Sequence, residues 1–379
     1  MQDIPVVIVG GGLSGLYAAF LLEQKGIAYR LLEARDTFGG RIAVAKYPDA
    51  HATNNNTDID QAESSAAFDL GPSWFWPDYQ TQLSSLVESL NLSRFAQFEE
   101  GDMMVERIAN QPPVRMQGYK SAPPSMRLVG GMAALTDALY ARDASCIMTS
   151  QTVRQLNKTS QYIEVQSEDS SGHMTTLRAK HVLLALPPRL VEGRIAFQPA
   201  LPQDLSEQWR ETATWMAPHA KYVAVYESPF WRDAGFSGAA RSAIGPLTEI
   251  HDASTLEGDG ALFGFFGVPV QVRQSVSDTV LKEHCRAQLV RLFGEQANTT
   301  KAEYLKDWAK DPLTAMSADA SGNGQHAVAP PSKPKTGMWQ DCITGCGSEW
   351  SAQFPGYVAG AIDAATVAVQ SLPATILRQ

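Results

Sequence analysis

An α/β fold opening on a doubly wound parallel sheet is predicted by three features near the N-terminus. These are a short β-branched run at Ile4–Val9, a glycine cluster directly after it, and a second apolar run at Ala28–Glu33. Short, continuous apolar runs suit strands buried on both faces. Between them, Ser14 to Gln24 carries Leu, Ala and Tyr in helix-compatible order, and Gly26 ends it. A strand, a helix and a strand within about thirty residues form the opening unit of a doubly wound sheet.

The remaining elements follow in order. Residues 50–67 are polar and poor in large apolar groups, which predicts a surface loop. Leu83–Leu92 and Leu135–Arg142 read as helices. Pro112, Pro113, Pro123 and Pro124 punctuate loops and short strands between them. Gln161–Ser167 and Thr175–Arg178 read as a hairpin around the polar turn Glu168–His173. His181–Leu186 is another buried-strand run, closed by Pro187 and Pro188. Lys221–Tyr226 is strand-like, Thr279–Phe293 has helical spacing, Gly322–Lys335 is a Gly, Pro, Ser and Lys loop, and Gly356–Val369 reads as a helix.

Composition narrows the function classes. With 379 residues, 44% apolar and 19% charged, the chain can close a core around a buried ligand. Its length suits two domains. Thirty-one Lys and Arg stand against 40 Asp and Glu, a formal net charge of -9 that disfavours nucleic acid and anionic membranes as partners. Cys146, Cys285, Cys342 and Cys346 are scattered, unlike a disulfide framework, so a reducing compartment, the cytoplasm, is expected. No second Cys pair or nearby His completes a zinc set around Cys342 and Cys346, and no metal site is expected. The apolar N-terminus lacks a basic lead and carries glycines, which argues against a signal peptide or transmembrane segment. No Ser-His-Asp arrangement and no P-loop lysine supports a hydrolase or a kinase.

Gly10-Gly11-Gly12-Leu13-Ser14-Gly15 contains G-x-G-x-x-G between the first strand and the first helix. Gly10 permits the tight turn, Gly12 lets the backbone approach a pyrophosphate, and Gly15 lets the helix lie close to the strand. The helix N-terminus then faces the phosphates. Glu33, about twenty residues on at the end of the second strand, is placed to accept hydrogen bonds from ribose hydroxyls.

The longer stretch from Val6 through Glu33-Ala34-Arg35-Asp36 to Gly39-Gly40-Arg41 resembles the opening of the flavin-containing amine oxidase family. That family includes monoamine, polyamine and L-amino-acid oxidases. The resemblance implies a Rossmann-like FAD-binding domain with a discontinuous, mixed α+β substrate-binding domain. The expected division puts 1–77, 125–208 and 337–379 in the FAD domain and 78–124 and 209–336 in the substrate domain, with flavin where they meet. By resemblance, Arg41 contacts cofactor phosphates, and Gly39 and Gly40 allow close backbone approach. Phe68–Trp74, with Gly71, Pro72, Ser73 and Trp74, passes the ribityl chain and flavin ring. Gly130-Gly131-Met132 is a flavin-proximal turn, and the backbone of Val153 approaches the adenine. Gly345–Glu349 and Pro355–Val358 close the site, bringing Glu349 towards the phosphate–ribityl region and Val358 to the cofactor.

Lys221 is the first catalytic candidate, resembling a family lysine that holds a water beside flavin N5. Read from the residues alone, the alternation along the strand favours a strand-end lysine with its amine in solvent, and only the resemblance turns it into a catalytic candidate. Tyr357 resembles an aromatic wall facing the substrate, against the alternative of ordinary packing at a helix start. Trp308 resembles a tryptophan beside the isoalloxazine, and a plain core role stands next to that. No cysteine occurs in Ala309–Ala318, where relatives with a covalent flavin carry one, so non-covalent FAD is expected. Met316, Ser317 and Ala318 occupy the region of a second aromatic wall, so a two-aromatic cage is not expected there. No arginine matches the carboxylate clamp of amino-acid oxidases.

The expectation is an FAD-dependent oxidoreductase that oxidises the C–N bond of a small amine-like molecule to an imine, with oxygen as final acceptor. A C–C desaturase or carbocycle dehydrogenase, and a flavin-binding interaction protein without turnover, are the alternatives.

Overall fold

The computed structural model describes residues 3–47, 66–256, 258–321 and 327–377. The chain divides into two compact units. The first gathers Met1–Arg41, Leu135–Pro218 and Ala309–Gln379, and the second Ile42–Ala134 and His219–Trp308.

In the first unit, Val6, Val7 and Ile8 of strand Asp3–Val9 are fully buried. They lie between two parallel neighbours, Tyr29–Leu32 and Met174–Leu184. Ile147–Met148 extends the parallel layer beyond Tyr29–Leu32, and Ile343–Gly345 adds to it along Val182–Leu184. The helix Leu13–Gln24 returns from the first strand to the second and packs on the helix Val358–Gln370. This is the doubly wound arrangement, and the fold is α/β as expected.

Two expected elements prove to be one. Thr175–Arg178 and His181–Leu184 belong to a single strand, Met174–Leu184. Its first half pairs antiparallel with Ile163–Glu168, which in turn pairs with Thr152–Lys158. Its second half runs parallel to Asp3–Val9. The change of partners explains the change in character: the meander half is partly exposed, the parallel half buried.

The second unit is built on a seven-stranded sheet. Its order is Ala302–Asp307, Ala220–Tyr226, Gly260–Phe266, Leu247–Asp252, Phe236–Ser242, Asp102–Glu106 and Val114–Met116. One face, carrying Tyr222, Ala224, Tyr226, Ile250 and Leu262, packs on Leu281, Cys285, Leu289 and Leu292 of the helix Asp278–Phe293. Ser277 caps that helix, its Oγ accepting the Val280 N–H at 3.3 Å, and Gly294 leaves it at φ 95°. The opposite face carries Val223, Val225, Ala253, Ala261 and Phe263 around Phe68.

Several boundaries differ from expectation. Residues 42–77 and 125–134 lie in the second unit, because Val44–Tyr47 pairs with Ala66–Asp69, and Phe75 and Arg94–Ala96 both bridge to Met126–Leu128. Residues 309–336 lie in the first, where the Pro331 oxygen accepts from the Trp209 indole at 2.8 Å and Ser332 O from Gly345 N at 2.6 Å. Most of the expected loop at 50–67 falls outside the described residues, but Ala66 and Ala67 belong to a strand. The last long helix begins at Val358, since Gly356 takes φ 83°.

Candidate active site

In the first unit the glycine turn forms a tight cradle. Gly10 leaves the strand at φ 107°, and a Cβ there would meet Ala185 O at 2.7 Å. A Cβ on Gly15 would fall 1.9 Å from Gly10 O, so the helix start tolerates no side chain at that position. At Gly12 an added Cβ would meet nothing nearer than 3.9 Å, leaving open space above the backbone at the start of the helix that begins with Leu13 and Ser14. The Ser14 hydroxyl donates to the Cys346 carbonyl. Glu33 is buried and accepts the Gly11 N–H at 2.6 Å and the Arg35 N–H at 2.8 Å. A carboxylate has about four acceptor positions, so two remain. Open backbone at a helix N-terminus, beside a fixed carboxylate with acceptors to spare, fits a pyrophosphate and a ribose.

The segment Ala34–Arg41 folds over this cradle. Gly39 N donates to Gly11 O at 2.8 Å, and Gly40, at φ 59°, lies so close that a Cβ would meet Gly12 Cα at 3.2 Å. Arg35 donates to Asp311 at 3.0 Å. Arg41 forks onto the buried Glu349, Nη1 to Oε1 at 2.5 Å and Nη2 to Oε2 at 2.9 Å, and also reaches Trp215 O at 3.2 Å. This bidentate pair holds the guanidinium in one orientation. Val153 is buried two residues beyond Gln151, whose N–H donates to Glu33 O at 2.8 Å. Tyr357 stands before Val358, the first residue of the last long helix, and its ring is 6.5 Å from that of Trp215 at 32°. A Cβ on Gly356 would meet Trp215 Cβ at 2.5 Å, so that glycine admits the indole. Met316 instead folds onto Gly193, where a Cβ would meet its Cε at 2.7 Å.

In the second unit the turn after strand Ala66–Asp69 collects the remaining candidates. Lys221 is 2% exposed, which removes the solvent-facing alternative. Its Nζ donates to Gly71 O at 3.1 Å and Ser73 Oγ at 2.7 Å, and stands 4.0 Å over the Phe263 ring. Trp74 stacks edge-on to His251 at 4.8 Å and donates to Gln97 Oε1 at 2.8 Å. Trp308 is buried, with its indole N–H 3.3 Å from Leu70 O. Asp69 is buried and accepts the Met132 N–H at 2.8 Å, while Arg127 donates to Ala253 O and Ser254 O, both at 2.9 Å. Burial pushes the Lys221 ammonium down to about 7; Asp69 opposes that shift and Arg127 adds to it. Burial raises Asp69 against the pull of Lys221 and Arg127. A buried amine that changes charge near neutrality, set over an aromatic ring, can donate a proton or a hydrogen bond as pH dictates.

Comparison with known proteins decides the family. The profile described as flavin containing amine oxidoreductase matches residues 113–372. The chain belongs to the flavin-containing amine oxidoreductase family. An NAD(P)-binding Rossmann-like profile matches residues 8–90. A probable flavin-containing monoamine oxidase A of Dictyostelium discoideum is 22% identical over 94% of this chain and 95% of its own length. The putrescine oxidase of Kocuria rosea is 25% identical over 83% and 84%. Wild-type putrescine oxidase bound to putrescine superposes with a TM-score of 0.77 at 20% identity, covering 97% and 98% of the two chains. Cyclohexylamine oxidase from Brevibacterium oxydans gives 0.77 at 18%, covering 100% and 99%. The protein is thus a flavin-dependent oxidoreductase of amine-like substrates, with an FAD-binding fold.

Within this amine oxidoreductase the expected residues fall into two groups. Gly10, Gly12, Leu13, Ser14, Gly15, Glu33, Ala34, Arg35, Gly39, Gly40, Arg41, Val153, Glu349, Tyr357 and Val358 belong to the first unit, and Gly71, Pro72, Ser73, Trp74, Lys221 and Trp308 to the second. Sequence reasoning missed Asp69 and Arg127 as partners of Lys221, and Trp215 as the neighbour of Tyr357. Phe263 and Phe265 were also missed; the short continuous apolar run in Gly260–Phe266 was the signal for their strand. Among the described residues no group of His, Cys, Asp and Glu is arranged to hold a metal ion, and no helix is long and apolar enough to cross a membrane.

Proposed function

We propose that this chain oxidises the C–N bond of a small amine to an imine, which water then hydrolyses to a carbonyl compound, with non-covalently held FAD and with oxygen as final acceptor. When bound, FAD supplies the two-electron chemistry, taking a hydride equivalent from the carbon next to nitrogen and passing the electrons to oxygen to give hydrogen peroxide. The observation that carries the reading is Lys221, buried, fixed by Gly71 O and Ser73 Oγ and set against an aromatic ring.

The chain's own groups have distinct tasks. The backbone at Gly10, Gly12, Leu13, Ser14 and Gly15 takes the pyrophosphate, helped by the helix N-terminus. Glu33 takes the ribose hydroxyls, Ala34 and Arg35 continue that edge, and the backbone of Val153 borders the adenine. Gly39, Gly40 and Arg41 close over the phosphates, with Glu349 orienting Arg41. Gly71, Pro72, Ser73, Trp74 and Trp308 present backbone and indole surfaces to the ribityl and ring portions, and Val358 offers a helix N-terminal amide. Tyr357 excludes water and orients the substrate nitrogen. Lys221 orders a water and places positive charge where oxygen is reduced.

The deciding experiment follows flavin absorbance anaerobically while FAD-loaded protein meets primary, secondary and polyamine panels and L-amino acids in turn. Bleaching with an amine class, followed by recovery and peroxide when oxygen is admitted, is expected. No bleaching by any amine, while dithionite still reduces the flavin, would overturn the reading in favour of a C–C desaturase or a flavin-binding protein without turnover. Lys221→Met is expected to retain FAD and slow reoxidation.

A further inference from the structure

We propose that His251 is a catalytic residue that takes the proton from the substrate's ammonium group, and that Glu249 positions it for that step; this role rests on the C–N oxidation proposed above. In the sheet of the second unit, Lys221, Phe265 and Glu249 lie in one row across three strands, and Val223, Phe263 and His251 form the next row. Neighbours within a row, and alternate residues along a strand, point to the same side of a sheet. Lys221, Glu249 and His251 therefore share one face.

Ring contacts draw the group together more closely than register does. The Lys221 nitrogen stands 4.0 Å over the Phe263 ring, and His251 stacks on the same ring at 5.4 Å and 28°. Trp74 lies edge-on to His251 at 4.8 Å and is 5.3 Å from Phe263. It directly follows Ser73, whose hydroxyl holds the Lys221 nitrogen at 2.7 Å.

The partner of the imidazole fixes which nitrogen can act. His251 Nε2 lies 2.7 Å from Glu249 Oε1, and Arg241 pairs with the other oxygen of that carboxylate. Burial pushes Glu249 up, but the bond from His251 and the charge of Arg241 outweigh it and hold the carboxyl below its ordinary value. A carboxylate only accepts, so Nε2 carries the hydrogen and, in the neutral ring, Nδ1 is the acceptor. Among the described residues Nδ1 has no hydrogen-bond partner. The other charged groups in these rows are differently engaged. Lys306, opposite Lys221, and Arg241, opposite Glu249, are cations, and Lys221 donates to Gly71 O and Ser73 Oγ.

Near neutral pH an alkylamine is mostly an ammonium ion, whose nitrogen has no lone pair to assist loss of a hydride equivalent from the adjacent carbon. In the proposed step one ammonium N–H bond breaks as an Nδ1–H bond forms, and the electron pair stays on the substrate nitrogen. The imidazolium keeps its Nε2–H on Glu249, as in other carboxylate–histidine pairs. The His251 side chain is 22% exposed, which gives the proton a way out to solvent.

The test measures anaerobic flavin reduction at neutral pH and saturating substrate for a strongly basic amine that bleaches the wild-type flavin. It repeats the measurement with a fluorinated analogue whose weakly basic nitrogen is already neutral. His251→Gln is expected to slow the basic amine about tenfold or more and to leave the analogue within about twofold of wild type. Glu249→Gln is expected to show the same selectivity at smaller size. A packing role slows both amines alike. Equal losses with the two amines, or no loss with either, therefore overturn the inference while leaving the C–N reading intact. Selectivity in His251→Gln without any in Glu249→Gln removes the positioning role of Glu249. His251→Asn decides by the same ratio if His251→Gln does not fold. Wild-type flavin that no amine bleaches overturns the C–N reading and the role of His251 with it.

Discussion

A single methyl group added at Gly15 would land 1.9 Å from the Gly10 carbonyl oxygen, a contact that no rotamer relieves because the backbone fixes both the Cβ position and the oxygen. The helix would have to move off the strand, and with it the cradle above Gly12. Gly15→Ala is therefore expected to destabilise the fold by about 1–3 kcal/mol, as overpacking does. It should also leave purified protein short of flavin, read as the ratio of flavin to protein absorbance. Full flavin occupancy in a stable Gly15→Ala variant would refute the close-packing account. Glu349 tests the same cradle from the other side. Glu349→Gln keeps the shape but loses the charge that orients Arg41, and weaker FAD binding by roughly tenfold is expected, measured by titration of the flavin-free protein.

Elements, rather than residues, explain what the sequence disclosed and what it withheld. The opening strand, helix and strand were legible because their apolar pattern is local and the glycines sit between them. The helix Asp278–Phe293 was legible to within one residue, since Ser277 and Gly294 mark its ends. Most of the second sheet was not. Leu247–Asp252 mixes polar and apolar residues because one face meets the helix and the other the Lys221 region, and Phe236–Ser242 carries a glycine and small residues. Of the site, the first-unit glycines and Glu33 could be read from spacing. The neighbours of Lys221 could not, because cross-strand register and two distant turns place them. The strand Ala302–Asp307 owes its position to a buried pair as well as to its ladder. Arg273 donates to Asp307 at 3.0 and 2.9 Å, just before Trp308. Arg273→Ala leaves that carboxylate buried without its guanidinium partner, and a loss of about 3–5 kcal/mol is expected in urea unfolding. A loss under 1 kcal/mol would show that the pair does not hold the strand end.

For the molecule as a whole, Lys221 ties stability to pH. Its ordinary value is 10.5, and in the fold it is pushed down to about 7. Between these values the unfolded chain binds a proton that the folded chain lacks, so stability rises as pH increases through that window. Below about 7 the cost of the buried ammonium is fully present. Lys221→Met removes the effect, so the variant's advantage over wild type is expected to be largest at and below neutral pH and to shrink towards pH 10, read from urea midpoints across the range. Parallel curves for the two proteins would mean that Lys221 does not titrate in this window. The proposed non-covalent attachment of FAD makes a simpler prediction: acid precipitation is expected to leave all the yellow colour in the supernatant, and flavin retained in the pellet would contradict it.

The pairing of Arg41 with Glu349 spans 308 residues, and that of Ser14 with Cys346 spans 332. A ribosome delivers the second partner of each pair long after the first. The glycine turn emerges first and waits for the carbonyl and carboxylate that complete it. The second unit, whose last residue is Trp308, has all its strands before then. Flavin loading is therefore expected to follow synthesis of Cys346 and Glu349, and nascent chains arrested before Ile343 are expected to fold their later-numbered sheet while remaining colourless.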